Sequence, residues 1–162
     1  MIIIDTRERN PLVFQRYKSE RATMATADYT ARGLESTLVI ERKSTEDLVG
    51  SLLHDNRDRF MRELQRMKAY PLRRLIIEGT RQQIENHEYR SAALPQAILG
   101  SLAAIEIRFN IPVVFAGSRD HAAALVEQWC FYALREHIQQ AERILKLTQQ
   151  TAAPTPAGEV TL

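Results

Sequence analysis

Two spacings of apolar residues alternate along this chain: β-branched runs that suit strands, and stripes at three- and four-residue intervals that suit helices. Met1-Ile2-Ile3-Ile4-Asp5 predicts a short strand ending on a carboxylate, and the polar, Pro-containing residues 6–11 predict a loop. Residues 12–21 are mixed and read as a short helix, and residues 23–30 as a strand with Asp28 near its end. After the turn Arg32-Gly33-Leu34-Glu35, residues 36–43 form a β-branched strand with its charges gathered at the end, so the two strands make a hairpin.

Helical signals begin directly after that strand. Ser44 suits an N-cap with Asp47 three residues on, followed by Leu48, Val49, Leu52 and Leu53. Over residues 57–70, Phe60, Leu64 and Met67 fall at i, i+4 and i+7, while Arg59, Arg62 and Arg66 share another stripe. Pro71 stops this helix; residues 72–78 form a strand closed by Gly79. A short helix over 81–87, a longer one over 94–109 with Pro95 in its first turn, and a strand over 111–116 follow. A long helix over 119–149 carries an apolar stripe of Leu125, Trp129, Leu134, Ile138, Ala141 and Leu145, which either packs into the core or seals a homodimer. The expected organisation is one α/β domain over 1–150, a central mixed β-sheet flanked by helices, with a Pro/Thr/Ala-rich disordered tail over 151–162.

Composition narrows the class. A hydrophobic fraction of 44% and a charged fraction of 26% over 162 residues suit one soluble domain, and no apolar run approaches the ~18 residues of a membrane span. With no basic leader and one cysteine, the expected setting is cytoplasmic; Cys130, between Trp129 and Phe131, reads as a small core residue. No P-loop, Gly-x-Gly-x-x-Gly run or zinc-type cysteine pattern occurs, which argues against a nucleotide-driven motor or a dinucleotide enzyme. The net charge of +2 is weak evidence for nucleic acid, but seven basic residues lie within 57–74 against only Asp58 and Glu63. Most are arginine, which suits bidentate phosphate contact. An exposed charged helix face is the alternative reading of that cluster.

Asp5, Asp28 and Glu41 each stand near a predicted strand end, and carboxylates so gathered suit a hard divalent cation that retains several waters. Side chains two apart on a strand share a face, so Glu41 and Lys43 flank one spot while Arg42 points the other way. Such a carboxylate and ammonium can bind a metal and orient water for phosphodiester hydrolysis. Asp47, at the third helical position, also favours a helix N-terminus electrostatically.

Glu41-Arg42-Lys43-x-x-x-Asp47, preceded by Asp5-Thr6-Arg7-Glu8 and Ala27-Asp28-Tyr29, resembles the XPF-type nuclease domain, whose hallmark is Gly-Asp, a spacer, then Glu-Arg-Lys-x-x-x-Asp. Leu48-Val49-Gly50-Ser51-Leu52 and Leu75-Ile76-Ile77-Glu78-Gly79 extend the match over roughly residues 1–80. The resemblance implies a restriction-endonuclease-like core and a Mg2+- or Mn2+-dependent DNA endonuclease. It implies Asp28, Glu41 and Asp5 as metal residues, Lys43 as catalytic, and Asp47 as supporting the site. Arg7 and Arg42 are expected to support the site or contact DNA, and Arg59, Arg62 and Arg66 of the helix stripe are further expected DNA contacts. Two departures stand out. Ala27 occupies the glycine position of the hallmark, where a left-handed backbone would strain alanine. No glycine hairpins of a tandem helix-hairpin-helix module follow Gly79, so selectivity for branched or flap DNA in repair or recombination is an expectation that rests on the resemblance of the nuclease core alone. A DNA-binding module that keeps the fold without turnover is the rival expectation.

Overall fold

A computed structural model describes residues 1–151, the side chains of residues 54, 55, 150 and 151 excepted. The expected tail lies outside the described residues apart from residue 151. Strands β1 (Ile2–Asp5), β2 (Ser19–Ala22), β3 (Tyr29–Ala31), β4 (Leu38–Lys43), β5 (Leu72–Ile77) and β6 (Val113–Phe115) join in one mixed sheet, ordered β2-β1-β3-β4-β5-β6. β3 and β4 form the expected antiparallel hairpin, and β4, β5 and β6 run parallel. Helices α1 (Thr45–Ser51) and α2 (His54–Met67) connect β4 to β5, and α3 (Arg81–Glu85) and α4 (Pro95–Phe109) connect β5 to β6. Helix α5 (Arg119–Thr151) follows β6.

Strand periodicity sorts the core into two layers. Val39, Leu75 and Ile77 face α1 to α4, where Leu48, Phe60, Leu64 and Ile98 are buried with them. Leu38, Ile40 and Ile76 face α5 and meet Ala122, Val126 and Cys130. Each large side chain so buried contributes about 1.5–3 kcal/mol relative to exposure. Cys130 is a core residue as expected, and burial pushes its thiol up to about 12.

Local chemistry sets the joints. Ser44 Oγ accepts from the Asp47 amide at 3.1 Å, starting α1 directly off β4, and Thr80 and Gln83 form a capping box at α3. Gly79 lets the end of β5 pass close to α1: a Cβ there would collide with Thr45 Oγ1 and lie 2.6 Å from Gln83 Oε1.

Three expectations change. Residues 12–21 form no helix; Leu12 is buried, its amide donating to Tyr29 Oη at 2.9 Å, and Ser19 opens the edge strand β2, parallel to β1. The strand expected over 23–30 shrinks to β3, because Ala27 at φ +63° breaks the extended run. Of the α5 stripe, Leu125, Trp129 and Leu134 pack partly, but Ile138 and Leu145 are 49% and 61% exposed. The reason is length: 33 helical residues span about 50 Å, against about 20 Å for the six-residue strands beneath.

Candidate active site

β4 ends on Glu41-Arg42-Lys43, and its pleat deals these side chains to opposite sides of the sheet. Glu41 and Lys43 point toward α2. Lys43 Nζ lies 2.9 Å from Glu41 Oε1 and 4.6 Å from the centre of the Phe60 ring. Glu41 is 4% exposed, and its Oε2 is buried with no hydrogen-bond partner. An orphaned, buried carboxylate oxygen is costly unless something cationic meets it.

Asp28 reaches the same place from the start of β3. The left-handed turn at Ala27 sets its direction, its amide donates to Ile40 O at 3.1 Å, and its Oδ2 accepts from the Arg42 amide at 2.8 Å. Burial, opposed by the Arg42 amide and reinforced by the charge of Glu8, raises Asp28 to about 6. Burial and the charge of Asp28 raise Glu41 to about 8. For Lys43, burial pulls downward, but Glu41 and the other nearby carboxylates outweigh it and keep the ammonium charged. The strain at Ala27 is on the order of 1–2 kcal/mol for a residue with a Cβ.

These groups open onto a polar cleft of about 570 Å³, whose walls include Arg7, Glu8, Asp28, Glu41, Arg42, Lys43 and Asp47. From α2 come Asn56, Arg59, Phe60 and Glu63. Asp28, Glu41, Lys43, Asp47, Arg7 and Arg59 are thus brought together. Arg62 is not: it lines a shallow depression with Arg108 and Phe109, and Arg66 lies outside the cleft. A mainly apolar cleft of about 420 Å³ at the opposite end of β4 and β5, beside Trp129, holds none of the expected residues.

Asp5 stands apart from the cleft. It is 1% exposed; its Oδ1 accepts from the Arg7 amide at 2.8 Å and Nε at 2.6 Å, and its Oδ2 from the Met24 amide at 2.7 Å. Burial acts to raise its carboxyl, but the Arg7 and Met24 bonds outweigh it and hold Asp5 below the usual carboxylate range. Both oxygens are engaged within the protein, and through them Asp5 holds the exposed Arg7 at the cleft rim.

Of its two expected roles, Arg42 takes the structural one here. Its side chain is 8% exposed, with Nε 3.0 Å from Glu8 Oε2 and Nη1 2.9 Å from Glu78 Oε1. Arg119 Nη1 donates to the same Glu78 oxygen at 2.8 Å, and its Nη2 to Asn10 O at 2.7 Å and Pro11 O at 2.6 Å. This chain of alternating charges ties β4, β5, α5 and the loop after β1 together. Asp47 bonds Ser44 reciprocally, Ser44 Oγ donating to its Oδ2 at 2.7 Å, while facing the cleft, so its capping role is on view.

Sequence reasoning left Glu63 and Phe60 without a place in the site, and Arg119 without one in the charge network beside it. A signal for the first two existed: 56, 59, 60 and 63 stand at i, i+3, i+4 and i+7, one helical face. Nothing comparable marks Arg119, whose partners lie 41 and 109 positions away.

The donor set fits a hard divalent cation: Glu41 Oε2 is orphaned and Asp28 Oδ2 is its only oxygen bonded to Arg42. Among the described residues no three histidine, cysteine or acidic side chains stand close enough to hold an ion by themselves. Two carboxylates and a water shell are what magnesium commonly takes.

The sequence pattern of the ERCC4 domain matches residues 4–128, and the chain belongs to that family, the XPF-type nuclease domains. XPF from Aeropyrum pernix has a similar structure, with a TM-score of 0.64 at 17% identity over 95% of this chain and 75% of that one. XPF from the same organism in complex with DNA gives 0.63 at 17% identity, over 83% and 65% of the two chains. A curated relative titled "Putative ATP-dependent RNA helicase MJ1505", from Methanocaldococcus jannaschii, is 28% identical over 153 residues, 93% of this chain. The chain spans 18% of that relative's length.

Proposed function

We propose that this domain is a Mg2+- or Mn2+-dependent endonuclease that hydrolyses DNA phosphodiester bonds in the cleft between the end of β4 and α2. The observation that carries this reading is Glu41, buried with one oxygen on Lys43 and the other unpartnered, beside Asp28. Asp28 and Glu41 hold the cation. When bound, the cation supplies Lewis acidity that activates water and offsets charge building on the phosphate. Lys43, kept as an ammonium by Glu41 and seated over Phe60, donates toward the attacking water or a phosphate oxygen. Arg7 and Arg59 at the rim grip the DNA backbone. The solved XPF in complex with DNA supports the choice of DNA as ligand. Flap or branched DNA, as in repair or recombination, is the finer part of the proposal.

The test is cleavage of labelled single-stranded, duplex, flap and junction DNA, and of single-stranded RNA because of the helicase-titled relative, with and without Mn2+. Wild-type protein is expected to cut DNA only with metal. Glu41→Gln and Lys43→Ala are expected to lose on the order of a thousandfold in rate, since several kcal/mol of charge stabilisation disappear. Full cleavage by either variant would sink the proposal.

A second reading is favoured by Ala27: its positive φ, at the hallmark glycine position, strains the turn that aims Asp28. On that reading the domain binds DNA equally well in EDTA and leaves it intact. Metal-dependent cleavage by the wild type excludes it.

A further inference from the structure

Resting on the metal-dependent reading, we infer that Glu63 of α2 is a third carboxylate of the cation site, reaching the ion's water shell from the helix side of the cleft. The row Asn56, Arg59, Phe60 and Glu63 is the face that α2 turns to the cleft, and two of its members already have tasks there. Asn56 Nδ2 donates to Gly50 O at 3.3 Å, and the Phe60 ring carries the Lys43 ammonium at 4.6 Å. The Glu63 side chain, half-buried, makes no ion pair or hydrogen bond among the described residues, although Arg59 stands one turn away on the same helix and the Glu63 charge acts on Arg7 and Lys43.

The independent observation is Glu41, a cleft-lining residue only 4% exposed, whose Oε2 is buried and unpartnered. Asp28, Glu41 and Glu63 surround a single buried ammonium, Lys43, which lies 2.9 Å from the other Glu41 oxygen. When ionised, these four groups carry an excess of two negative charges, the charge of one divalent cation. The three carboxylates do not stand close enough together for all to ligate directly. Glu63 therefore acts through the waters that such an ion keeps, where outer partners typically affect metal affinity by about 10- to 100-fold. Placing this acid on a helix frees it from the spacing of the strand-borne motif.

Mn2+ binding to the DNA-free protein, followed by the electron paramagnetic resonance of free Mn2+, separates this inference from the reading beneath it. Wild type is expected to bind one ion and Glu41→Gln none. Glu63→Gln, and Glu63→Ala as a second variant, are expected to weaken binding about tenfold with an unchanged circular-dichroism melt. Asp58→Asn removes an exposed acid of the same helix outside the cleft and is expected to leave affinity unchanged. Loss in Glu41→Gln with full affinity in both Glu63 variants would overturn the role of Glu63 and leave the metal site standing. Equal weakening in Asp58→Asn would reduce Glu63 to a general field effect and overturn it too. No Mn2+ binding by wild type would overturn both readings.

Discussion

The two sides of the β4 terminus carry the same residue types to opposite ends. On the α5 side, Glu8, Arg42, Glu78 and Arg119 alternate in sign, and Arg42 and Glu78 each meet two partners. On the α2 side, Asp28, Glu41 and Glu63 share one lysine, and Glu41 keeps a buried oxygen without a partner. Only the α5 side pairs every charge it carries. Satisfaction, more than charge itself, separates a structural network from a site that awaits a ligand.

The sharpest way to break this contrast is Arg42→Met. It strands Glu8 opposite an apolar side chain and leaves Glu78 to Arg119 alone, and removing one partner of a buried pair costs about 3–5 kcal/mol. Urea unfolding is expected to show a loss of that size with an unchanged slope. A loss under 1 kcal/mol, as at exposed pairs, would mean the network is not the structural half of the comparison.

Next in size is a pH effect confined to the α2 side. The Asp28 and Glu41 carboxyls are raised by burial from ordinary values of 3.8 and 4.5 to about 6 and about 8. Well below pH 3.8 they are protonated folded and unfolded alike. Between there and about pH 8 the folded chain holds protons that the unfolded chain has released, so stability falls as pH rises through that window. Metal-free protein is expected to melt lower at pH 8 than at pH 5, Glu41→Gln to show a flatter slope, and Mn2+ to restore stability most at the higher pH. A flat profile in metal-free wild type would show the α2 side to be balanced without a cation.

The smallest expected effect is at Ala27. Replacement by Gly relieves left-handed strain of about 1–2 kcal/mol and returns about 0.5–1 kcal/mol as backbone entropy of the unfolded chain. The net expectation is a gain of about 0.5–1 kcal/mol in urea unfolding. If Mn2+ affinity rises as well, the strained turn is also what limits the aim of Asp28; a stability loss would mean the turn suits alanine.

Much of this was legible because it is local. Strand and helix periods, the Ser44 cap, and the Glu41–Lys43 pairing all follow from residues a few positions apart, and α2 packs Phe60, Leu64 and Met67 as their spacing predicts. The left-handed turn at residue 27 was legible only as a condition, since a missing glycine shows where strain would fall without showing that it does. The fate of Asp5 was not legible: its Arg7 partner is two residues away, but Met24, which takes its second oxygen, is nineteen.

By itself, then, the sequence determined the kind of elements, their order, and the alternation that separates Arg42 from its neighbours, because each is set by backbone geometry and nearby side chains. Only the tertiary structure decided which charges were neutralised. Arg42 met Glu8 and Glu78 across 34 and 36 positions, Arg119 closed the chain from the far end of the fold, and Glu63 arrived at the cleft on a helix. Whether a buried charge is paired depends on every element packed around it, and that sum exists only once the chain has folded.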